Sequence, residues 1–393
     1  MTTTNSADAA RLLQSAAAAD PTLATRLAEA GIDPATVSGP DDLAAVPVQS
    51  KDARVAGRDH VLGGGVPRRI FQSPGPIYEA QPDGDDPWRW REALASAGLV
   101  PGDIVLNCFG YHLSPAGAMF DEAVVAAGAT VLPGGIGNQQ LQVQAIRDLG
   151  IRGYVGLPSY LKALIDLFAA EGGTPADMPL QYAVVTAEPL PDSLRAELEA
   201  WVPAVRMAYG SAEAGLISYE DGRGAGMVTA ADIVVDVCDI ADGTPVTTDA
   251  PGEVVVSILR ESAPLVRFGT GDLSAWVIDG GEPVLTDGRR RLVGVLGRTG
   301  QATKVRGMFL HPTQVKAVAA KLAGTEALRF LIGREDHKDT IVAEVVVAAG
   351  ADAEVAQAEA ADLIRSELRF RAEVRAVAAI EGDEVIVDER SWD

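Results

Sequence analysis

The chain opens with two stretches in which leucine and alanine recur at helical spacing, 8-DAARLLQSAAAAD-20 and 21-PTLATRLAEAG-31, and they end before proline or at glycine. That spacing gathers the apolar side chains on one face and predicts helices over 6–31. From residue 103 a regular alternation begins. Apolar runs of strand length, 103-DIVLNCF-109, 129-ATVLPGG-135, 152-RGYVGL-157, 182-YAVVTA-187 and 204-AVRMAYG-210, are separated by helical patterns over 114–128, 138–150, 158–172 and 191–201. Strands alternating with helices of this length predict a mostly parallel sheet covered on both faces.

After residue 215 the texture changes. Short β-rich runs at 231–240, 253–260, 272–279 and 291–297 are cut by Gly, Asp and Pro turns, which predicts an antiparallel or barrel-like section. The remainder reads as helix 311–322, strands 326–334 and 340–348, helix 353–370, strand 373–380 and a short strand near 385–388. The expected class is α/β. A large N-terminal domain, 1–296, would hold mixed, mostly parallel sheets plus a β-barrel-like section, and a small α+β C-terminal domain, 297–393, would follow a hinge at 297-GRTGQATKVRG-307.

Charge narrows the partners. The formal net charge of −22 over 393 residues repels polyanions, so sequence-independent binding to nucleic acid is not expected. A nucleotide or coenzyme A in a locally basic or backbone-lined cleft stays compatible with that field. The run Arg289-Arg290-Arg291 reads as a solvated turn after Asp287-Gly288. Two cysteines, Cys108 and Cys238, exclude a disulfide framework and an all-cysteine zinc site, and Cys108 reads as a core residue. The four histidines show no metal-ligand spacing. No basic region followed by an apolar stretch opens the chain, and its longest uncharged run, 104–120, is broken by Asn, Gly, His and Pro. A cytoplasmic protein without a membrane span is the expectation.

Three stretches join glycine to polar or charged residues at expected strand ends, where ligands gather in α/β sheets: 209-YGSAEAG-215, 267-RFGTGDLSAW-276 and 297-GRTGQATKVRGMFLHP-312. Singly, each fits a structural turn; their order and spacing are more specific. Together they resemble the adenylate-forming superfamily of acyl-CoA synthetases, and within it the phenylacetate–CoA ligase family. The leading 42-DLAAVPVQSKDAR-54, the strand–helix–strand 108–135, the helix start 156-GLPSYLKAL-164 and the turn 186-TAEPL-190 agree, so the resemblance runs from about residue 25 onward.

The resemblance implies ATP/AMP, Mg²⁺ and coenzyme A as cofactors, a small carboxylic acid as substrate, and a homodimer. It implies that Tyr209, with Gly210 and Ser211, lies against adenine and that Glu213 is catalytic as a Mg²⁺ ligand; oxygen ligands shared with phosphates suit that ion. Asp272 would accept from the ribose hydroxyls, an ionised acceptor facing two O–H donors. Arg298 would lie near ribose or phosphate, Glu188 and Pro189 would border the nucleotide, and Lys304 would be a catalytic contact to nucleotide or coenzyme. As plain sequence, Asp272 also fits a turn, and Lys304 equally fits a solvated hairpin face. Phe109, Tyr111, Tyr160 and Ala187 would line the acid pocket, although the three aromatics also fit a core.

The chain departs from the family pattern in four places. Ala212 takes the hydroxyl position and Gln301 that of the hinge aspartate. The place of the family's SSGTTGKP phosphate loop is held by 73-SPGPIYE-79. Pro74 and Pro76 donate no N–H, no lysine follows, and Glu79 opposes a triphosphate. No lysine occurs after Lys338, where such ligases carry one that stabilises charge on the α-phosphate. Two readings follow. One is an adenylate-forming ligase transferring an acyl or aryl group to coenzyme A or another nucleophile. The other is a relative that binds an acyl-adenylate, AMP, acyl-CoA or aromatic acid without ATP-dependent adenylation. A hydrolase lacks its GxSxG elbow here.

Overall fold

The computed structural model describes residues 6–51, 66–73, 77–240, 242–299, 303–306, 308–310, 312–335, 338–368 and 371–390. The chain divides into two compact units, Met1–Leu190 with Arg195–Thr299, and Pro191–Leu194 with Gly300–Asp393.

A mixed sheet of nine strands organises the first unit. Its parallel part comprises Thr130–Pro133, Ile104–Asn107, Gly153–Gly156, Tyr182–Val185 and Ala204–Ser211, in that spatial order. Gly153–Gly156 and Tyr182–Val185 are buried along their whole length, as strands covered on both faces must be. The intervening helices fall where the apolar period placed them, Ala116–Ala126, Gln139–Leu149, Pro158–Ala170 and Asp192–Glu199. Gly215–Tyr219 and Met227–Thr229, absent from the sequence reading, extend the sheet antiparallel.

A helix at Trp90–Ala97 was also not predicted. It is eight residues long, and Asp86 caps it by accepting from the backbone N–H of Trp90 (3.1 Å) and Arg91 (2.9 Å). Trp90 lies 4.4 Å, ring to ring, from Phe120, which stacks on Phe109 at 5.0 Å. Burying aromatic rings of this size contributes roughly 2–3 kcal/mol each.

The β-rich section is an open antiparallel sheet in the order Val234–Cys238, Gly252–Ile258, Leu265–Ser274, Gly297–Arg298, not a barrel among the described residues. The strand expected at 272–279 starts instead at Leu265. The glycines that read as its boundary are interior, and Gly271, at φ +74°, takes a left-handed kink within it. The helices Ser6–Ala19 and Pro21–Glu29 share an apolar cluster with Leu43, Val46 and Val266. No helix among the described residues is long and apolar enough to cross a membrane.

The basic run is not a solvated turn throughout. Arg291 is 1 % exposed and forms a two-pronged ion pair with Asp221, Nη1 to Oδ2 at 3.0 Å and Nη2 to Oδ1 at 2.9 Å. Its guanidinium also donates to the carbonyls of Gly224, Ala225 and Gly226, so a local run that looks hydrophilic closes a loop from inside.

The second unit is α+β. Its four strands lie in the order Glu373–Val377, Lys338–Val347, Thr325–Glu335, Ile386–Asp388. Helices Pro312–Ala319 and Ala353–Leu363 accompany them, the latter continuing as a π-turn over Ile364–Leu368. Phe330, Ile332 and Ala343 are buried in a core of its own.

Candidate functional site

Parallel strands end on the same edge, so their following loops gather there. In the first unit these are the loops after Asn107, Gly156, Val185 and Ser211, which carry Phe109, Tyr111, Ala187, Glu188, Pro189 and Glu213.

Antiparallel pairing sets Asp272 opposite Arg298. Arg298 Nε donates to Asp272 Oδ1 at 2.9 Å, and the Tyr209 hydroxyl donates to Asp272 Oδ2 at 2.9 Å. Thr270 supports the carboxylate: its Oγ1 accepts from the Asp272 backbone N–H (3.1 Å) and donates to the Val254 carbonyl (2.9 Å). Burial, and then the Asp272 charge, push the Tyr209 phenol well above its ordinary pKa, so it stays a donor. A carboxylate offers about four lone-pair sites, so Asp272 keeps acceptor capacity after these two bonds. Tyr209 is 7 % exposed, its ring belonging to an apolar cluster with Ala214, Ile217 and Phe268. Thus Tyr209, Asp272 and Arg298 meet, although Tyr209 and Arg298 are far apart in sequence.

Glu213 lies on the loop that leaves Tyr209. Gly210 permits the tight path, since a side chain there would meet the Gly215 carbonyl at 2.4 Å. Ser211 Oγ closes the loop by accepting from the Ala214 N–H at 3.1 Å. The Glu213 side chain is 1 % exposed, and Lys51 Nζ sits 2.6 Å from its Oε1. Lys51 belongs to the leading stretch 42–54, and nothing local in 49-QSKD-52 announces a partner near residue 213. A recess of about 310 Å³, open solvent included, is bordered by Glu213, Glu79, Trp88 and Arg260. The hairpin of Ile70–Ser73 and Ile77–Ala80 therefore faces Glu213 with Glu79, while its tip, 74–76, lies outside the described residues.

The remaining residues do structural work that the structure makes visible. Glu188 Oε2 accepts from Ser159 Oγ at 2.6 Å, placing a carboxylate at the N-terminus of the helix Pro158–Ala170, where the helix dipole favours it. Ala187 beside it holds φ +75°, a strained conformation for alanine, and Pro189 is exposed. Phe109 is a core residue stacked on Phe120. The Tyr111 hydroxyl donates to Asp121 at 2.6 Å and accepts from Asn107 at 2.8 Å, and burial followed by Asp121 raises its pKa. The Tyr160 hydroxyl joins Gln142 Oε1 (2.8 Å) and the Gly137 backbone. Both tyrosines brace the loops of this edge through their hydroxyls. Lys304 belongs to the second unit, opposite Phe309 in the hairpin of Thr303–Val305 and Met308–Leu310. Gln301 and Gly307 lie outside the described residues.

Neither cysteine is placed for nucleophilic work. Cys108 is 2 % exposed and Cys238 0 %. Burial raises the Cys108 thiol above its ordinary range and pushes Cys238 up to about 11. A thiol-reactive chromophore should label neither in the folded chain at pH 8 and both after denaturation; rapid labelling of the native protein would contradict this burial.

Residues 92–258 match the family model described as AMP-binding enzyme. The phenylacetate-coenzyme A ligase of Thermus thermophilus is 31% identical over 313 residues, covering 74% of this chain and 69% of that protein. Its counterpart from Pseudomonas putida is 26% identical over 350 residues, 81% of this chain and 76% of that one. Among solved structures, 2-hydroxyisobutyryl-CoA ligase in complex with 2-HIB-AMP and CoA superposes with a TM-score of 0.82 at 24% identity, covering 97% of this chain and 88% of that one. At that identity the likeness speaks to the fold.

Proposed function

Because the chain belongs to the AMP-binding enzymes, as a relative of the phenylacetate-coenzyme A ligases, we propose that it activates a small acyl or aryl carboxylic acid as its AMP ester and passes the acyl group to coenzyme A. The observation that carries this is the Tyr209–Asp272–Arg298 cluster at one end of the sheet. Asp272 takes the ribose hydroxyls with its remaining acceptor sites, Arg298 neutralises it and faces the phosphate side, and Tyr209 borders the adenine. Ser211 and Gly210 shape the loop beneath the phosphates, and Glu188, Pro189 and Ala187 form the turn that borders adenine and acid.

Glu213 is the residue that would hold Mg²⁺. Among the described residues no three His, Cys, Asp or Glu side chains gather as a ready-made metal site. One buried carboxylate still fits an ion that takes one or two protein ligands and fills its shell with phosphate oxygens and water. The fold already keeps a cation on that carboxylate, which matches its charge demand. Bound there, the ion would draw charge from the phosphates; the protein's part is to orient the nucleotide against Asp272 and the acid against the sheet edge. Lys304, in the second unit, is proposed as a contact to nucleotide or coenzyme.

A second reading rests on one feature. Glu79 borders the same recess as Glu213, and the sequence joining the two strands of its hairpin carries Pro74 and Pro76. A negative charge and two missing N–H donors there favour an AMP- or acyl-CoA-sized ligand over a triphosphate. ATP–pyrophosphate exchange with a panel of aryl and short acyl acids separates the two. Acid-dependent exchange is expected; its absence across the panel, together with thermal stabilisation by AMP or coenzyme A, would establish the second reading instead.

A further inference from the structure

Most exposed lysine–carboxylate contacts contribute little and form wherever side chains happen to meet. The Lys51–Glu213 pair is built differently. Its carboxylate is 1 % exposed and its ammonium 24 %. The segment that delivers Lys51 is strapped to the strand carrying Asp272. Gln49 N–H donates to the Arg267 carbonyl at 2.8 Å, Gly269 N–H donates to the Gln49 carbonyl at 2.9 Å, and Gln49 forms a parallel bridge with Phe268. Two buried guanidiniums reinforce the strap. Arg26 Nη2 reaches the carbonyls of Pro47 (2.6 Å) and Val266 (2.8 Å), and Arg267 Nε reaches that of Val46 (3.2 Å). One strand thus roots both the carboxylate at 272 and the ammonium at 51.

The tail of the second unit presents the complementary fact. Within the sequence no lysine follows Lys338. Arg390 is engaged inside its own unit, Nε and Nη2 on Asp388 at 2.8 and 2.6 Å and Nη1 on Asp339 at 3.2 Å, with its side chain 7 % exposed.

We propose that Lys51 is the cation that faces the α-phosphate when the acid is adenylated, and that its pairing with Glu213 parks the ammonium at that spot between turnovers. This rests on the function proposed above, which puts the nucleotide phosphates at Glu213. In the step, an acid carboxylate oxygen forms a bond to the α-phosphorus and the bond from that phosphorus to the bridging β-oxygen breaks. The electron pair leaves with pyrophosphate. Lys51 keeps its proton throughout and stabilises the extra negative charge on the non-bridging oxygens. A four-carbon stem suits a point charge that must swing from a carboxylate to a phosphate a few ångströms away.

The test uses the full chain and three variants, Lys51→Met, Lys51→Arg and Lys51→Cys, the last before and after aminoethylation. Both native cysteines are buried, so a cysteine at 51 is the accessible thiol among them. Lys51→Met should lower the acid-dependent exchange rate about 100- to 1000-fold, the scale of losing one aimed electrostatic donor. By calorimetry it should weaken AMP at least about 5-fold while leaving adenosine, which has no phosphate, within about 2-fold, the remainder of a point charge's contribution on a half-open site. Aminoethylated Lys51→Cys should regain exchange, and Lys51→Arg should regain AMP affinity but only part of the rate. A structural role would move adenosine and AMP together, and exchange by Lys51→Met within a few-fold of wild type would overturn the assignment. Failure of the wild-type chain to exchange with any acid would instead sink the parent reading, and this one with it. Should Lys51→Met fold poorly, recovery on aminoethylation decides the question within a single polypeptide.

Discussion

Asp272→Ala should reduce AMP affinity on the order of 100-fold or more while the chain stays folded. The reasoning starts from the two donors that already converge on this carboxylate, Tyr209 and Arg298, each at 2.9 Å. In the proposed complex the ribose adds two more. Hydrogen bonds to a charged acceptor contribute roughly 1.5–3 kcal/mol each, so losing the ribose pair costs about 3 kcal/mol, and each 1.4 kcal/mol is about tenfold. The alanine also removes one partner of Arg298, whose side chain is 20 % exposed and can be hydrated, so the penalty on stability should stay at about 1 kcal/mol. Asp279→Ala removes an exposed carboxylate from the short hairpin of Ile278–Asp279 and Glu282–Pro283 and is the matched control; it should change neither quantity. Isothermal titration with AMP, alongside thermal melts, makes the comparison. Equal affinity for wild type and Asp272→Ala would remove the nucleoside from this cluster.

The reach of sequence reasoning depended on the range of the forces involved. Ile104–Asn107, Ala116–Ala126, Gly153–Gly156 and their neighbours were legible because the apolar period switches between strand and helix over windows of local sequence. The helix Trp90–Ala97 was not, since its apolar face of about two turns is mixed with Arg91 and Glu92 and its cap, Asp86, sits four residues ahead. Gly269 and Gly271 suggested a break where the strand Leu265–Ser274 merely kinks. Pairings across the sheet were harder. Arg291 looked solvated because its partner Asp221 is 70 residues away, and Lys51 had no visible role because its carboxylate comes from another part of the fold. Tyr209, Asp272 and Arg298 were identified through the order of their motifs, which is information about ancestry; the pairing of Asp272 with Arg298 is a property of strand register.

That same long-range pairing gives the largest expected effect on stability. Asp221→Ala should destabilise the first unit by about 3–5 kcal/mol, because it leaves the Arg291 charge, 1 % exposed, without its counter-ion. At roughly 2–4 °C per kcal/mol for large domains, the melting temperature should fall by about 6–20 °C. Arg223→Ala removes the exposed partner of the same carboxylate, a guanidinium 53 % exposed, and should leave the melting temperature nearly unchanged. Replacing both buried partners together, Asp221→Leu with Arg291→Met, should be milder than the sum of the single changes, since no orphaned charge remains. Acid supplies an independent check. Burial pushes the Asp221 carboxyl up, but hydrogen bonds and charge from Arg291, with help from Arg223, outweigh it and hold it at about 2. A carboxyl depressed below its unfolded value of about 3.9 stabilises the fold fully above that pH and loses its contribution as pH falls through about 2. The free-energy difference between wild type and Asp221→Ala, measured by denaturant titration, should therefore be level from pH 7 to pH 5 and shrink by about 2 kcal/mol toward pH 2. A difference that grows on acidification would show that the pair does not carry the stability assigned to it.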